Sequence, residues 1–480
     1  MSGQGNTLDF LCRETPLGFG GRMGLVVRLS IPAILAEISS ILMQYIDAAM
    51  VGSLGERASA AIGLVASTTW LFSGLCISFA TGFSVQIAHL IGAGRPQRAR
   101  SVLRQGFLCA LAFGVLLGAA GVALSFGLPR WLGGAADIQP WASDYFRIYA
   151  CAQPAVVLRQ LSGGALQCSG DMRTPSLLNG LMCLWDVCFN FLLIFPARTL
   201  RLGTLLIPMP GAGMGVAGAA LGTALAEGVT AVLMICAVCL RSPQLRLKLG
   251  GSWRLERNTL AIAARIAVPL GLEHSVLCGA QIATTRIVSP LGTVAIAANS
   301  LAVTAESLCY MPGYGIAAAA TTLVGQSLGA GRRDLARSFA RLTVLLGMAL
   351  MTCTGILMFL LAPQMFAILT PVGEVQALGV HVLRIEAFAE PLFAASIVAA
   401  GALRGAGDAV APSVLNLVSM WGVRITASLL LAPRLGLTGV WVAMCGELCF
   451  RGILFLVRLF RGKWLDRTLI RPESKEMELT

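Results

Sequence analysis

The chain has 480 residues, of which 56% are hydrophobic and only 12% carry a charged side chain. Soluble globular domains have about 25% charged residues, so this composition excludes a large soluble core and favours a membrane-embedded protein with the lipid bilayer around it. The formal net charge of +13 comes almost wholly from arginine. Its distribution along the chain indicates membrane topology and does not predict a nucleic-acid partner.

Apolar stretches of about 20 residues can cross a bilayer, and this sequence contains twelve of them between charged or Gly/Pro-rich breaks. The polar segment before the first stretch lacks the cleavage site of a secretory signal peptide. The predicted spans are 26–51, 61–90, 106–128, 144–166, 177–196, 214–240, 260–288, 296–324, 340–361, 377–402, 412–432 and 436–460.

Arginine and lysine are concentrated in the segment before the first span and in the connections after each even-numbered span. The opposite connections contain far fewer. By the positive-inside rule, both termini and the arginine-rich connections face the cytoplasm. We therefore expect a multi-pass protein of the bacterial inner membrane. The basic residues of the opposite connections are Arg57, Arg130, Arg198, Arg201 and Arg434.

An internal repeat organises the chain at a constant offset of 237 residues, as from Pro32 to Pro269. The offset falls to 221 between Gly215 and Gly436, so the first half carries 16 extra residues within 197–213, where we expect a turn or short hairpin. Other matched segments are Leu54-Gly55 with Leu291-Gly292, Gly92-Ala93-Gly94-Arg95 with Gly329-Ala330-Gly331-Arg332, Pro154 with Pro391, and Gly164-Ala165-Leu166 with Gly401-Ala402-Leu403.

The repeat predicts an all-α polytopic membrane protein whose twelve transmembrane helices form two six-helix lobes. Because each half has an even number of spans, both insert in the same orientation, and a pseudo-two-fold axis along the membrane normal relates them. The predicted divisions are a cytoplasmic tail 1–25, a first lobe 26–240, a cytoplasmic linker 241–259, a second lobe 260–460 and a cytoplasmic tail 461–480.

No nucleotide-binding loop is present, since none of the three lysines follows a glycine run. An ion gradient or a separate ATPase subunit must then drive any transport. We expect the ion gradient to do so, without an ATPase subunit. We also expect no metal or other cofactor. The segment Gly325–Gly329 formally fits a hydrolase nucleophile motif, but it ends a membrane helix instead of joining a strand to a helix. We therefore expect no enzyme.

Ionisable residues inside spans are the main functional candidates, because a charge in hydrocarbon costs at least ~2.5 kcal/mol. Burial favours the neutral form of a carboxyl group, which can then exchange a proton, or hold Na⁺, near physiological pH. A cationic substrate competes for the same negative charge, and this competition is sufficient for antiport. Each acid could instead pair with an arginine. The residues are Glu37, Asp47, Asp186, Glu227, Glu273, His274, Glu306, Glu386, Glu390, Arg424 and Glu447.

Several motifs resemble the multidrug and toxic compound extrusion (MATE) family over about residues 22–460. They occur in order and partly in duplicate. They are the segment Met43–Gly52 with Leu54-Gly55, the two Gly-Ala-Gly-Arg loops, Pro269-Leu270-Gly271-Leu272-Glu273, Ile296-Ala297-Ala298-Asn299, Gly325–Gly331 and Gly401–Asp408.

The resemblance implies two lobes around a central cavity, alternating access, and export of drugs or metabolites in exchange for H⁺ or Na⁺. Asp47 matches the first-helix aspartate that serves as a cation site in the family, and Glu273 is the corresponding acid expected in the seventh helix. The cargo is then a small, cationic amphipathic molecule. Further acids expected to line its cavity are Glu306, Glu390, Asp186 and Glu227.

Two rival functions remain open at this point. A lipid-linked precursor flippase of the same wider superfamily is the alternative, but such relatives often carry two additional helices and a cationic cavity. An intramembrane enzyme would need clustered His, Asp and Ser residues, whereas the three histidines are scattered. Twelve spans and mainly acidic buried charges favour the ion-driven exporter.

Overall fold

The computed structural model describes residues 18–202, 205–247, 251–466 and 469, with the side chains of 198–209 left aside. Within these ranges the chain is a bundle of helices with one two-stranded hairpin. Ten of its helical segments are individually long and apolar enough to cross a membrane. The fourth and tenth spans are each built from two shorter helices, so the described residues contain the twelve spans expected.

The first lobe contains spans one to six. Its helices are α1 Phe19–Gly52, α2 Glu56–Gly92, α3 Pro96–Ser125, the short α4 Leu128–Trp131, α5 Gln139–Cys151 with α6 Gln153–Cys168, α7 Arg173–Ile194, and α8 Gly215–Cys236, which ends in a π-helical turn at Ala237–Arg241.

The second lobe contains spans seven to twelve. Its helices are α9 Arg257–Val288, α10 Thr293–Gly329, α11 Arg333–Leu369, α12 Gly373–Glu386 with α13 Glu390–Gly405, α14 Val410–Leu417 joined through the π-helix Val418–Ile425 to α15 Thr426–Leu435, and α16 Leu437–Arg461. Short 3₁₀ turns follow α9 at Ser289–Leu291 and α16 at Lys463–Asp466.

The broken fourth and tenth spans restart at prolines related by the repeat. Pro154 lies in the first turn of α6, and Pro391 lies in the first turn of α13. Proline has no backbone N–H and is tolerated in the first turn of a helix, so each proline begins a new helix inside the membrane. Each lobe thus contains one discontinuous span.

Glycines with positive φ mark the same places in both lobes. Only glycine adopts this backbone conformation without steric cost, so a shared pattern indicates a shared chain path. The pairs are Gly55 with Gly292 (φ 109° and 99°), Gly94 with Gly331 (70° and 74°), Gly170 with Gly407 (94° and 78°), and Gly215 with Gly436 (58° and 60°). The two six-helix lobes are therefore related as the repeat predicts, by a pseudo-two-fold axis along the membrane normal.

The extra residues of the first lobe form a hairpin, which confirms the expectation for 197–213. Strands β1 Pro196–Leu202 and β2 Leu205–Ala212 pair antiparallel between α7 and α8. In the second lobe, Gly436 alone separates α15 from α16. We call the side of the molecule that carries β1 and β2 the hairpin face, and the side that carries the connections at Arg95 and Arg332 the arginine-rich face.

Small residues line the helix contacts inside the protein. A Cβ atom on Gly82 would lie 2.6 Å from the carbonyl oxygen of Ala263, and one on Gly401 would lie 2.5 Å from that of Ala317. Such close approach is how helices pack in lipid, where association gains little from hydrophobic burial. Large apolar side chains instead cover the outside, where they face lipid, as Ile368 does with 86% exposure.

Aspartates at equivalent repeat positions lie in the connections between spans four and five and between spans ten and eleven. Asp171 caps the start of α7, accepting hydrogen bonds from the backbone N–H groups of Arg173 and Thr174 at 3.2 and 3.1 Å. Its repeat partner Asp408 accepts a longer bond from a backbone N–H at 3.4 Å, and it also forms an ion pair with Arg458 at 2.6 Å. Both therefore stabilise connections at the arginine-rich face.

Candidate functional site

One amide joins two carboxyl groups inside the first lobe. The side-chain N–H₂ of Asn190 donates to Asp47 Oδ1 at 2.8 Å and to Asp186 Oδ2 at 3.0 Å. Asp186 and Asn190 are fully buried, whereas Asp47 on α1 is partly exposed. We call these three residues the first-lobe acid site.

Helix geometry and a small neighbour position this site. Asp186 and Asn190 lie one turn apart on α7 and therefore share a face. On α8, a Cβ atom at Gly222 would lie 2.0 Å from Asn190 Oδ1, so only glycine leaves room for the amide. Asp186 Oδ1 and Asn190 Oδ1 are buried without a donor among the described residues. Unpaired buried oxygens of this kind suit a proton or a small cation.

Glu227, a predicted cavity acid, lies beside this site in an ion pair. Arg159 on α6 contacts its carboxylate through Nε at 2.5 Å and through Nη2 at 3.2 Å. The same guanidinium donates to Asn179 Oδ1 at 3.3 Å. The charge of Glu227 is therefore balanced, and the pair ties α6 to α8.

Glu273 is held by three donors in the second lobe. Arg404 Nη2 lies 3.0 Å from its Oε1, Asn416 Nδ2 lies 2.5 Å from the same oxygen, and Ser413 Oγ donates to Oε2 at 2.8 Å. Glu273 is 5% exposed. The contacts connect α9 to α13 and α14, so this carboxylate has a structural duty whatever else it does.

Three other glutamates meet at the break of the tenth span. Glu386 ends α12, Glu390 begins α13, and Glu306 on α10 packs beside them. Glu386 and Glu390 are completely buried, and none of their four carboxyl oxygens has a hydrogen-bond partner among the described residues. Each feels the charge of Glu306. We call these residues the second-lobe acid trio.

A cluster of one glutamate and two arginines lies next to the trio. Glu447 accepts a bond from Ser419 and contacts Arg424 at 2.9 Å and Arg451 at 3.3 Å. Arg424 also acts electrostatically on Glu306 and on the trio member at the end of α12. The cluster confirms that Glu447 pairs with Arg451, as their spacing of one helical turn predicts.

The structure divides the acids that the sequence predicted. Asp47 and Asp186 come together in the first lobe, and Glu306 and Glu390 come together in the second. The other two predicted acids, on α8 and α9, are each bound by an arginine.

Sequence reasoning overlooked Asn190 as a site member, and it named Glu386 only as an ionisable residue inside a span, not as a cavity acid. Asn190 follows Asp186 by four residues, and that spacing on a predicted helix is a signal that could have found it. Glu386 carried the same signal relative to Glu390, but the break between α12 and α13 was needed to see how they meet.

A twelve-span fold in two repeated lobes, with carboxyl groups buried inside each, defines a membrane transporter. The MatE family model matches residues 32–192 and again 269–430, one match in each lobe. The chain therefore belongs to the MatE family, and it is a transporter, not an enzyme.

Curated relatives span nearly the whole chain. It is 27% identical over 461 residues to the probable multidrug resistance protein NorM of Thermotoga maritima, covering 94% of this chain and 95% of the relative. It is 29% identical over 453 residues to a Pseudomonas aeruginosa protein of the same description, covering 89% and 87%. It is 26% identical over 472 residues to the multidrug resistance protein MdtK of Edwardsiella ictaluri, covering 94% and 96%.

Solved structures share the fold. A crystal structure of MATE in complex with MaD3S matches with a TM-score of 0.85 at 21% identity, covering 96% of this chain and 99% of the other. An outward-facing multidrug resistance MATE family transporter matches with a TM-score of 0.85 at 20% identity and the same coverage. At this identity the likeness establishes the fold.

Proposed function

We propose that this protein is a secondary active exporter that exchanges H⁺ or Na⁺ for small, cationic amphipathic molecules by alternating access. The first-lobe acid site couples the inward movement of the ion to the outward movement of the cargo. The relatives named for multidrug resistance support a small-molecule cargo of broad chemistry, and the acidic interior of this chain favours a positively charged one.

One observation carries the proposal: Asn190 bridges two carboxyl groups of different helices while buried oxygens of the site remain without donors. Two carboxylates so close repel one another unless a positive charge joins them. A proton or Na⁺ relieves that repulsion, and so does the cationic group of a substrate. Binding of the ion from outside therefore displaces cargo, and binding of cargo from inside displaces the ion.

The partial exposure of Asp47 gives the site its access route. Asp186 and Asn190 are completely buried, but Asp47 on α1 is partly exposed. We assign Asp47 the first contact with the ion and Asp186 the role of a second, more enclosed acceptor. Glu227 and Arg159 hold the adjoining helices and add no free charge.

The second-lobe acid trio is a separate site for protons in this proposal. Among the described residues, no group of three or more His, Cys, Asp or Glu is arranged to hold a metal ion. The carboxyl oxygens of Glu386 and Glu390 accept no hydrogen bond from any residue that the structure describes, so protonation is the simplest way to relieve their repulsion. A role for Glu273 in coupling remains a prediction, and its three existing contacts weigh against it.

The orientation of the protein follows from its arginines. We propose that the arginine-rich face lies in the cytoplasm of a bacterial cell, with both chain termini on that side of the inner membrane. The lobes 26–240 and 260–460 then act as the two moving units, joined by the linker 241–259.

Transport by purified protein in liposomes tests the proposal. We expect uptake of a fluorescent organic cation when a H⁺ or Na⁺ gradient is imposed in the exchange direction, and none when the gradient is collapsed. Asp186→Asn should reduce gradient-driven transport to background. Asp144→Asn, which removes an exposed carboxylate from α5, is the matched control and should transport normally.

Two results would contradict the proposal. Gradient-independent uptake would remove ion coupling, and translocation of a labelled lipid in place of the cation would support the flippase alternative.

A further inference from the structure

The two lobes meet most closely where α2 and α10 end at the arginine-rich face. A Cβ atom on Gly92 would lie 2.0 Å from the carbonyl oxygen of Gln326, and one on Gly329 would lie 2.1 Å from that of His89. Gly92 and Gly329 occupy equivalent repeat positions, and so do His89 and Gln326. Each helix therefore presses a glycine against the backbone of its repeat counterpart.

Two hydrogen bonds from equivalent residues cross the same seam, beside a third from Thr322 Oγ1 to Gln167 O at 3.2 Å. His89 Nε2–H donates to the carbonyl oxygen of Gly405 at 2.8 Å, and Gln326 Nε2–H donates to that of Cys168 at 2.8 Å. All four residues are buried. His89 belongs to the first lobe and reaches the second, whereas Gln326 belongs to the second and reaches the first. The two acceptors also occupy equivalent repeat positions.

We infer that His89 and Gln326 form a reciprocal latch that holds the arginine-rich face closed. The inference rests on the proposed function, because a latch between lobes matters only if the lobes move apart during transport. Both bonds, and the neighbouring bond from Thr322, must break for that face to open to the cargo.

The acceptors suit a bond that opens and closes. Cys168 is the last residue of α6 and Gly405 is the last residue of α13. The final carbonyl groups of a helix have no partner within the helix. The latch satisfies them when the seam is closed, and water can satisfy them when it is open. A neutral hydrogen bond exchanged for water changes the free energy little, so the latch biases the equilibrium without locking it.

A purely structural reading assigns these bonds to ordinary helix packing. Other hydrogen bonds also cross between the lobes, such as the one from Tyr45 Oη to Thr304 O at 2.7 Å, but the repeat counterpart of Tyr45 is Ile282, whose side chain has no donor to return such a bond. Here both donors cross between lobes, and the glycines that permit the approach recur at the same two places. The reciprocal arrangement at a seam that must part is what favours a latch.

The native thiol of Cys168 reports on the seam, because it is 4% exposed and lies directly on it. We would treat purified protein in detergent with N-ethylmaleimide and follow each cysteine peptide by mass spectrometry. Cys76, completely buried within the first lobe, serves as the internal control. This measurement needs neither a substrate nor an ion gradient, so its outcome is independent of whether transport is demonstrated.

The variants remove the two halves of the latch separately and together. His89→Leu and Gln326→Leu should each speed the labelling of Cys168 about two- to tenfold, and the double variant should speed it further. Labelling of Cys76 should not change. His89→Gln, which installs the residue of the other half, should label like the wild type. Should His89→Leu fail to fold, Gln326→Leu alone carries the test.

Unchanged labelling of Cys168 in the Gln326→Leu or double variant would overturn the latch. An equal rise at Cys168 and Cys76 would do the same, since it would mean general loosening of the fold and not opening of a seam.

Discussion

The two lobes share a backbone but keep their acids at different repeat positions. In the first lobe, the positions equivalent to the second-lobe acid trio hold the neutral residues Thr69, Tyr149 and Gln153. These three residues hydrogen-bond to one another: Tyr149 Oη donates to Thr69 O at 2.9 Å, and the Gln153 amide donates to Tyr149 O at 3.2 Å. The same framework is therefore polar and satisfied in one lobe, and acidic and unsatisfied in the other.

The reverse holds for the first-lobe acid site. The repeat counterpart of Asp47 is Thr284, and that of Asp186 is Val423. The two repeats therefore keep the same fold but carry their acidic residues on different helices. The first lobe holds one partly exposed carboxyl group, that of Asp47, beside the buried Asp186, whereas all three acids of the second-lobe acid trio are buried. We take this as the physical basis for two ion sites with different tasks.

Neutralising the accessible acid should have the largest effect. Asp47→Asn removes the charge that attracts the ion but keeps the shape of the side chain, so gradient-driven export should fall to background while the protein still folds and inserts. Thr284→Ala, at the equivalent position of the second lobe, should export normally. Comparable transport by the two variants would erase the difference between the lobes.

Neutralising the bonded acid of the second lobe should reduce stability. Glu273→Gln breaks the ion pair with Arg404, which is partly exposed, at a cost of about 1–3 kcal/mol. For a chain of this size we expect a fall of a few degrees in the melting temperature. A thermal-shift assay in detergent measures it. Loss of cation binding at unchanged melting temperature would instead assign Glu273 to the cavity.

Neutralising a sealed acid should have a smaller effect of opposite sign. Glu390→Gln installs the residue that the first lobe carries at the equivalent position. At pH 8 the wild type must either keep protons on the trio or bury charges without donors, so the variant should melt about 1–3 °C higher. At pH 5 the difference should vanish, because the carboxyl groups are then neutral. Lower stability of the variant at pH 8 would show that the trio is held as a bound charge.

Shortening the hairpin should have the smallest effect. Replacing the loop between Phe195 and Gly213 with a short turn makes the first lobe resemble the second, which lacks β1 and β2. We expect the melting temperature and gradient-driven export to stay within experimental scatter of the wild type. A marked loss of either would assign the hairpin a role beyond connecting α7 to α8.

The sequence was sufficient to predict the architecture, because the evidence for each span and connection lies in a short stretch of the chain. Apolar length predicts spans, arginine predicts orientation, and a constant offset predicts two equivalent lobes. The drop in that offset predicted the hairpin, since 16 residues with Pro208 and Pro210 cannot form a span there. Each predicted span overlaps the observed helix or helices, but the ends differ by up to ten residues, as at Pro96, where α3 begins and the predicted span begins at 106.

The sites were harder to predict because their evidence is not local. Hydropathy measures the length of a span but does not show whether the helix is continuous. The break between α12 and α13 was therefore not predicted. Arg404 lies 131 residues from Glu273, and only helix packing brings them together. Asp47 and Asp186 were each identifiable as acids inside a span, but only helix packing shows that the amide of Asn190 joins them.

The hairpin between α7 and α8 also explains how one copy of a duplicated gene could lengthen without harm. An insertion that leaves the bilayer and returns on the same side keeps the number of crossings even, so every later helix is still threaded into the membrane in its original direction. Gain or loss of a single span would instead invert half of the molecule during synthesis. Variation in such proteins is therefore expected to accumulate in returning loops and to avoid changes in helix count.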